Sequence, residues 1–212
     1  MNAFSANDYL HDYIEQVTPA SSAISSAREA AGEVGIQSPT SATTALLTTL
    51  AQATQATNVI VISPAANVVG LSLLAGMPEQ GILSCIDPEP EHQRQAKTAF
   101  QQAGYRSTRV RFLPSRPLDV MERLAPGTYQ LIYAEVATLE LQTFSEAALT
   151  LLSEHGTLII GDALLEGAAS DLERSDRETE AVRAFDTWLN DNPDIQVSRL
   201  PLGAGLVLIA KR

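Results

Sequence analysis

The twenty residues Asn58–Met77, NVIVISPAANVVGLSLLAGM, constrain this chain more than any other stretch. Asn58–Ile62 is a β-branched run broken by Ser63-Pro64, the pattern of a buried strand stopped by a turn. Val68–Met77 then places Val69, Leu73 and Met77 on one helical face with Leu74 beside it. Strand, tight turn and helix form the opening unit of a doubly wound α/β sheet, where nucleotide-type cofactors bind at the carboxyl ends of the strands. The turn, Ser63-Pro64-Ala65-Ala66-Asn67, contains no glycine. It lacks G-x-G-x-x-G, which argues against a nicotinamide oxidoreductase.

Helical patterns precede this unit. Ala6–Val17 carries Tyr9, Leu10, Tyr13, Ile14 and Val17 at helical spacing before Pro19, Ser21–Val34 is a second amphipathic piece closed by Gly35, and Ser41–Ala56 leads into the strand. Apolar runs then alternate with helical stretches. Strands are expected at Gly81–Ile86, Thr108–Leu113, Tyr129–Ala134 and Thr157–Ile160, and helices at Glu91–Ala103, Pro117–Leu124, Thr143–Leu152 and Ala181–Leu189. Ile195–Leu200 and Leu206–Ala210 have no helix between them and are expected to form a hairpin. The pattern reads as one domain, with residues 1–56 as N-terminal helices and 57–212 as the sheet-based core.

With 212 residues, 45% of them hydrophobic, the chain can bury one sizeable core. Its formal charge of −11 disfavours nucleic acid or an anionic membrane surface as partner, since both would repel it, and a small molecule or another protein is expected instead. No apolar run approaches the roughly 20 residues needed to span a bilayer. The polar start MNAFSANDYLHDY has no signal-peptide pattern, so a cytoplasmic location is expected. Cys85 is the only cysteine and falls inside an apolar run, which reads as a buried strand thiol.

Three strand-end acids are candidates for chemistry. Asp87, ending the second strand, is placed to accept hydrogen bonds from a ribose diol, or alternatively to cap the following helix. Glu135 and Asp162 end the fourth and fifth strands, where two carboxylates can face one cleft and hold a hard divalent cation, or merely cap turns. His11, His92 and His155 do not group in sequence and are read as solvated. Phe185 and Trp188 are read as packing residues.

With the strand ends placed, the segments Ala27–Ile36, Ile86–Gln93, Leu118-Asp119-Val120 and Leu202–Leu206 resemble the S-adenosylmethionine-dependent O-methyltransferases of the caffeoyl-CoA and catechol type. The resemblance implies a Rossmann-like, mostly parallel sheet of seven strands with an antiparallel last strand and helices on both faces. It further implies S-adenosylmethionine as methyl donor, Mg²⁺, a small hydroxylated, catechol-like acceptor, and a homodimer. By the same resemblance the donor would meet Ser63, Ala65 and Asn67 in the first turn, Asp87 and Pro88 after the second strand, Ser115-Arg116-Pro117 after the third, and Glu135 after the fourth. Glu135 and Asp162 would be the metal ligands.

The chain also departs from that pattern. The family's acid and glycines of the first strand and turn are replaced by Val61, Ser63, Ala65 and Asn67, which predicts weaker or altered donor binding because side-chain atoms stand where backbone must approach. Glu135 replaces an aspartate, Gly161-Asp162 replaces Asp-Asn, and Thr138 stands where the family has its basic lysine. Glu135 is left as the only candidate base. Two functions follow: a methyltransferase, or a catalytically degenerate protein that keeps the fold for binding or scaffolding.

Overall fold

A computed structural model describes residues 6–212; the first five residues of the polar start lie outside the described residues. Seven strands form one sheet: β1 (Asn58–Ile62), β2 (Ile82–Ile86), β3 (Val110–Leu113), β4 (Tyr129–Ala134), β5 (Leu152–Ile160), β6 (Ile195–Leu200) and β7 (Leu206–Lys211). Their spatial order is β3-β2-β1-β4-β5-β7-β6. The first five are parallel to one another, and β7 runs antiparallel to both β5 and β6. The doubly wound sheet with an antiparallel last strand is therefore present.

Alternation along the strands splits the core into two layers. Val59 and Val61 point to the face covered by α2 (Ser22–Glu33), α3 (Ser41–Ala53), α4 (Ala66–Gly76) and α5 (Pro90–Gln102). Ile60 and Ile62 point to the face covered by α6 (Pro117–Met121), α7 (Leu141–Leu151) and α8 (Arg177–Asp191). The central helix, α4, is buried continuously from Ala66 to Leu74. It lies close to α5 because Gly70 leaves room for the Phe100 ring; a Cβ at Gly70 would stand 2.4 Å from that ring. Ahead of these, α1 (Ala6–Val17) is fastened to the start of α3, where the Glu15 carboxylate accepts the Ser41 and Ala42 N–H groups at 2.8 Å each.

Several boundaries differ from the sequence reading for identifiable reasons. The third helix stops at Ala53 because Gln55 takes a left-handed conformation, φ 48°, and Ala56 N–H turns back to the Ala51 carbonyl. Residues Ser107–Arg109 form a single 3₁₀ turn, leaving only Val110–Leu113 as strand. The fifth strand starts at Leu152, five residues early, and His155 (φ 59°) sits within it, exposed, at an irregularity in pairing with β4. Asp176 caps α8 by accepting Thr179 N–H at 2.9 Å, so that helix begins at Arg177. Cys85 is fully buried, and burial and the Asp87 carboxylate push its thiol up, which keeps it an unreactive packing group.

Candidate functional site

Backbone hydrogen bonds align the carboxyl ends of five strands. Asp87 N–H donates to the Leu113 carbonyl, Glu135 N–H to Ile62 and Gly161 N–H to Ala134. The ends of β3, β2, β1, β4 and β5 thus present Pro114-Ser115, Asp87, Ser63, Glu135 and Gly161-Asp162 along one edge. Chain direction across the sheet reverses between β1 and β4, which is where open α/β sheets bind ligands.

Ser63 and Glu135 meet at this point. The Ser63 hydroxyl donates to one Glu135 carboxylate oxygen at 2.8 Å, and the Tyr133 hydroxyl donates to the other at 2.7 Å. Ser63 Oγ in turn accepts Ala65 N–H at 3.0 Å, which closes the turn that glycines would otherwise shape. Burial raises the pKa of Glu135 above the ordinary glutamate value; the two hydroxyls oppose this and the Asp162 carboxylate adds to it. Tyr133 is held well above its ordinary value by burial and then by the Glu135 charge. Sequence reasoning passed over Tyr133, although its spacing of two from Glu135 puts both side chains on one face of a strand.

A cavity of about 270 Å³ opens beside this chain of hydroxyls. Tyr133, Glu135, Gly161 and Asp162 line it from the sheet, Ser38 and Thr40 from the loop before α3, and Glu166 and Ala204 from the loops after β5 and β6. Asp162 has φ 54° and its Oδ1 accepts Ala204 N–H at 2.8 Å, tying these last two loops together. A Cβ at Gly161 would lie 2.7 Å from the Tyr133 hydroxyl, so the position has no room for a side chain as arranged. Among the described residues no three histidine, cysteine, aspartate or glutamate side chains converge as metal ligands. Ser38 and Glu166 carried no sequence signal, because loop residues are brought to a site by topology and not by periodicity.

On the other side of the reversal point, Asp87 is 6% exposed. Its Oδ1 accepts Glu89 N–H at 2.6 Å and its Oδ2 pairs with His92 Nδ1 at 2.9 Å. His92 is therefore half-buried and engaged with the strand-end acid, which corrects its reading as a solvated residue. Asp87 closes the turn ahead of α5 and also faces the strand ends, so the two sequence readings of it coexist. Pro88 and Arg116 are exposed, whereas Ser115 and Pro117 are half-buried next to Asp87 across the β2–β3 pair. Ala65 and Asn67 are buried, and the Asn67 side chain is turned away from the strand ends: its Nδ2 donates to the Ala27 carbonyl of α2 at 2.8 Å. The turn thus brings Ser63 to the site but spends Asn67 on packing.

The chain matches the family model described as O-methyltransferase over residues 23–212. A protein of Mycobacterium sp. (strain KMS), which bears a provisional O-methyltransferase name, is 36% identical over 199 residues, 94% of this chain and 90% of its own. Among solved structures, a protein of Corynebacterium glutamicum superposes with a TM-score of 0.93 at 47% identity, covering 98% of this chain and 97% of that one. The O-methyltransferase TomG of Streptomyces achromogenes, solved in complex with SAM, superposes with a TM-score of 0.83 over 95% of this chain and 94% of its own; at 21% identity it speaks for the fold alone.

Proposed function

Since this chain belongs to the O-methyltransferase family, we propose that it transfers the methyl group of S-adenosylmethionine to an oxygen of a small hydroxylated molecule. The observation that carries this reading is Asp87, a buried carboxylate at the end of β2, beside the Ser115 turn and on the same edge of the sheet as the ends of β1 and β4. Each of its oxygens accepts one bond from within the chain. An ionised carboxylate has about four acceptor positions, so it retains capacity for the two hydroxyls of a ribose. The residues present fit the donor on this side. On the methionine side, Ser63, Ala65 and Asn67 add atoms to the turn, and weaker binding is expected than a glycine-rich turn would give.

The donor supplies an electrophilic methyl on a sulfonium. When bound, that methyl would be open to in-line attack by an acceptor oxygen, and Glu135 is the residue placed to take the acceptor's proton. Glu135 suits this role because its raised pKa gives it more proton affinity than a solvated carboxylate, and Ser63 and Tyr133 hold it in place. Mg²⁺ does not fit the donor set. Only Glu135 and Asp162 offer carboxylates at these strand ends, Gly161 offers no ligand and no room for one, and no three histidine, cysteine, aspartate or glutamate side chains converge among the described residues. No step is therefore assigned to a metal ion.

Calorimetry with S-adenosylmethionine and S-adenosylhomocysteine tests the reading. Binding to the wild-type chain that Asp87→Ala weakens at least about tenfold supports it, the order expected for loss of a charge-assisted pair of hydrogen bonds; absence of binding to the wild-type chain refutes it. The second reading, a binding or scaffold protein on the methyltransferase fold, draws on Thr138 in place of the basic lysine. It predicts donor binding without methyl transfer to any phenol or catechol tested. We further propose a cytoplasmic homodimer, with Leu10, Tyr13 and Val17 of α1, each more than half exposed, packed against a second copy. A monomeric mass in sedimentation would reject the dimer. No helix of the described residues is long and apolar enough to cross a membrane.

A further inference from the structure

Asp87 is held from two sides, and the two holds are not equivalent. Its Oδ1 accepts Glu89 N–H at 2.6 Å within the turn, whereas its Oδ2 meets Nδ1 of His92, a ring that reaches back from the first turn of α5, at 2.9 Å. The turn has supports enough without the second hold. Pro88 and Pro90 fix φ at two of its positions, and Gln93 Nε2 donates to the Asp87 carbonyl at 2.8 Å. What the His92 bond adds is the orientation of the carboxylate. The last torsion of an aspartate side chain is broad and roughly two-fold, so a carboxylate gripped at Oδ1 alone can still turn its other oxygen. A donor on Oδ2 stops that motion. A carboxylate oxygen only accepts, so the hydrogen between the two groups lies on Nδ1. Each Asp87 oxygen is then left with about one open acceptor position. A vicinal diol fills that pair when each hydroxyl donates to a different oxygen.

We propose that His92 is a positioning residue for the methyl donor: by fixing Oδ2 it makes Asp87 a two-point receptor for the ribose diol, and it thereby sets how strongly the site prefers a ribonucleoside to one without those hydroxyls. His92 itself need not touch the donor. It acts through Asp87, whose carboxylate it holds ready before the ligand arrives, so that less conformational freedom is lost on binding. A site built to pair with hydroxyls also rejects a ligand that lacks them, because its own polar groups are then left unpaired. The sharper the carboxylate is held, the stronger that rejection becomes. This inference rests on the reading above that Asp87 meets the ribose of S-adenosylmethionine.

The experiment titrates S-adenosylhomocysteine, and its analogue that lacks both ribose hydroxyls, into the wild-type chain, His92→Ala and His92→Asn by calorimetry. On the wild-type chain the analogue should bind about a hundredfold more weakly, roughly tenfold for each charge-assisted hydrogen bond lost. His92→Ala should cost S-adenosylhomocysteine about tenfold and the analogue less than about twofold, so that the preference drops to between about tenfold and twentyfold. Asparagine carries an N–H donor on the same Cγ that bears Nδ1 in histidine, and His92→Asn should restore the preference to within about threefold of wild type. A residue that merely supports the fold would weaken both ligands alike. Equal losses for the two ligands, no loss for S-adenosylhomocysteine in His92→Ala, or no rescue by asparagine overturns the proposal. Failure of His92→Ala to fold overturns it too, since the turn would then depend on the bond. Binding that Asp87→Ala weakens and His92→Ala does not sinks this inference alone, whereas no binding to the wild-type chain sinks the methyltransferase reading and this inference with it.

Discussion

Glu135→Gln separates the cost of burying a carboxylate from the hydrogen bonds that hold it. Burial raises the folded-state pKa of Glu135 above its ordinary value of 4.5, which approximates the unfolded chain. Between those two values the folded chain binds more protons than the unfolded chain, so stability falls as pH rises through the interval. The fall amounts to about 1.4 kcal/mol for each tenfold difference in proton affinity. Glutamine has no such dependence. It has one acceptor oxygen where the carboxyl group, protonated or ionised, has two, so only one of the Ser63 and Tyr133 hydroxyls keeps its acceptor. The other must accept from the amide, leaving its own hydrogen unpaired at about 1–3 kcal/mol. The variant should therefore be less stable than wild type near pH 4.5, with the gap narrowing and then closing or inverting as pH rises above the folded value. Urea unfolding of both chains from pH 4.5 to 8 measures that gap. A gap that is constant or widens with pH would refute the argument that burial controls this carboxyl.

Other substitutions probe the neighbouring features. Gly161→Asp reinstates a ligand type at the strand end but puts its Cβ 2.7 Å from the Tyr133 hydroxyl; it should destabilise the chain by about 1–3 kcal/mol and confer no Mg²⁺ binding by calorimetry. Asn67→Ala removes the amide bonded to the Ala27 carbonyl, while Val68 N–H keeps the Ala65 carbonyl. The expected loss is about 1–2 kcal/mol in chemical denaturation, and a change below about 0.5 would show that this bond does not fasten α2 to the turn. Gly70→Ala sets helix propensity, which favours alanine by about 1 kcal/mol, against a Cβ 2.4 Å from the Phe100 ring. Overpacking should win, and a higher melting temperature would show that the α4–α5 contact yields easily.

The fold was legible where burial and periodicity coincide. Asn58–Ile62 and Tyr129–Ala134 are central strands buried on both faces, and their apolar runs mark their ends without ambiguity. The start of β5 was hidden because Ser153, Glu154 and His155 are polar and His155 adopts a positive φ, features that read as a turn until pairing with β4 is known. At the site, Asp87, Glu135 and Asp162 stood out because charge at a strand terminus is conspicuous. The His92–Asp87 pair did not, since it depends on how the Asp87-Pro88-Glu89 turn folds back over the first turn of α5. Asn67 occupied the expected turn position, yet its amide was claimed by α2, a contact between segments 40 residues apart that no local pattern encodes.

The placement of β7 between β5 and β6 also bears on how the chain is made. During synthesis both neighbours leave the ribosome before the strand that joins them, so β5 waits with an unpaired edge and β6 has nothing to pair with. Arg199 and Ser198, mixed with the apolar residues of β6, keep that waiting segment from being a continuous sticky strand. The half of the sheet built from β1 to β4 can assemble on sequential contacts, while the half that carries Asp162 and the Ala204 loop closes only when Leu206–Lys211 has emerged. The cavity at the ends of β4 and β5 is thus completed later than the Asp87 side of the sheet.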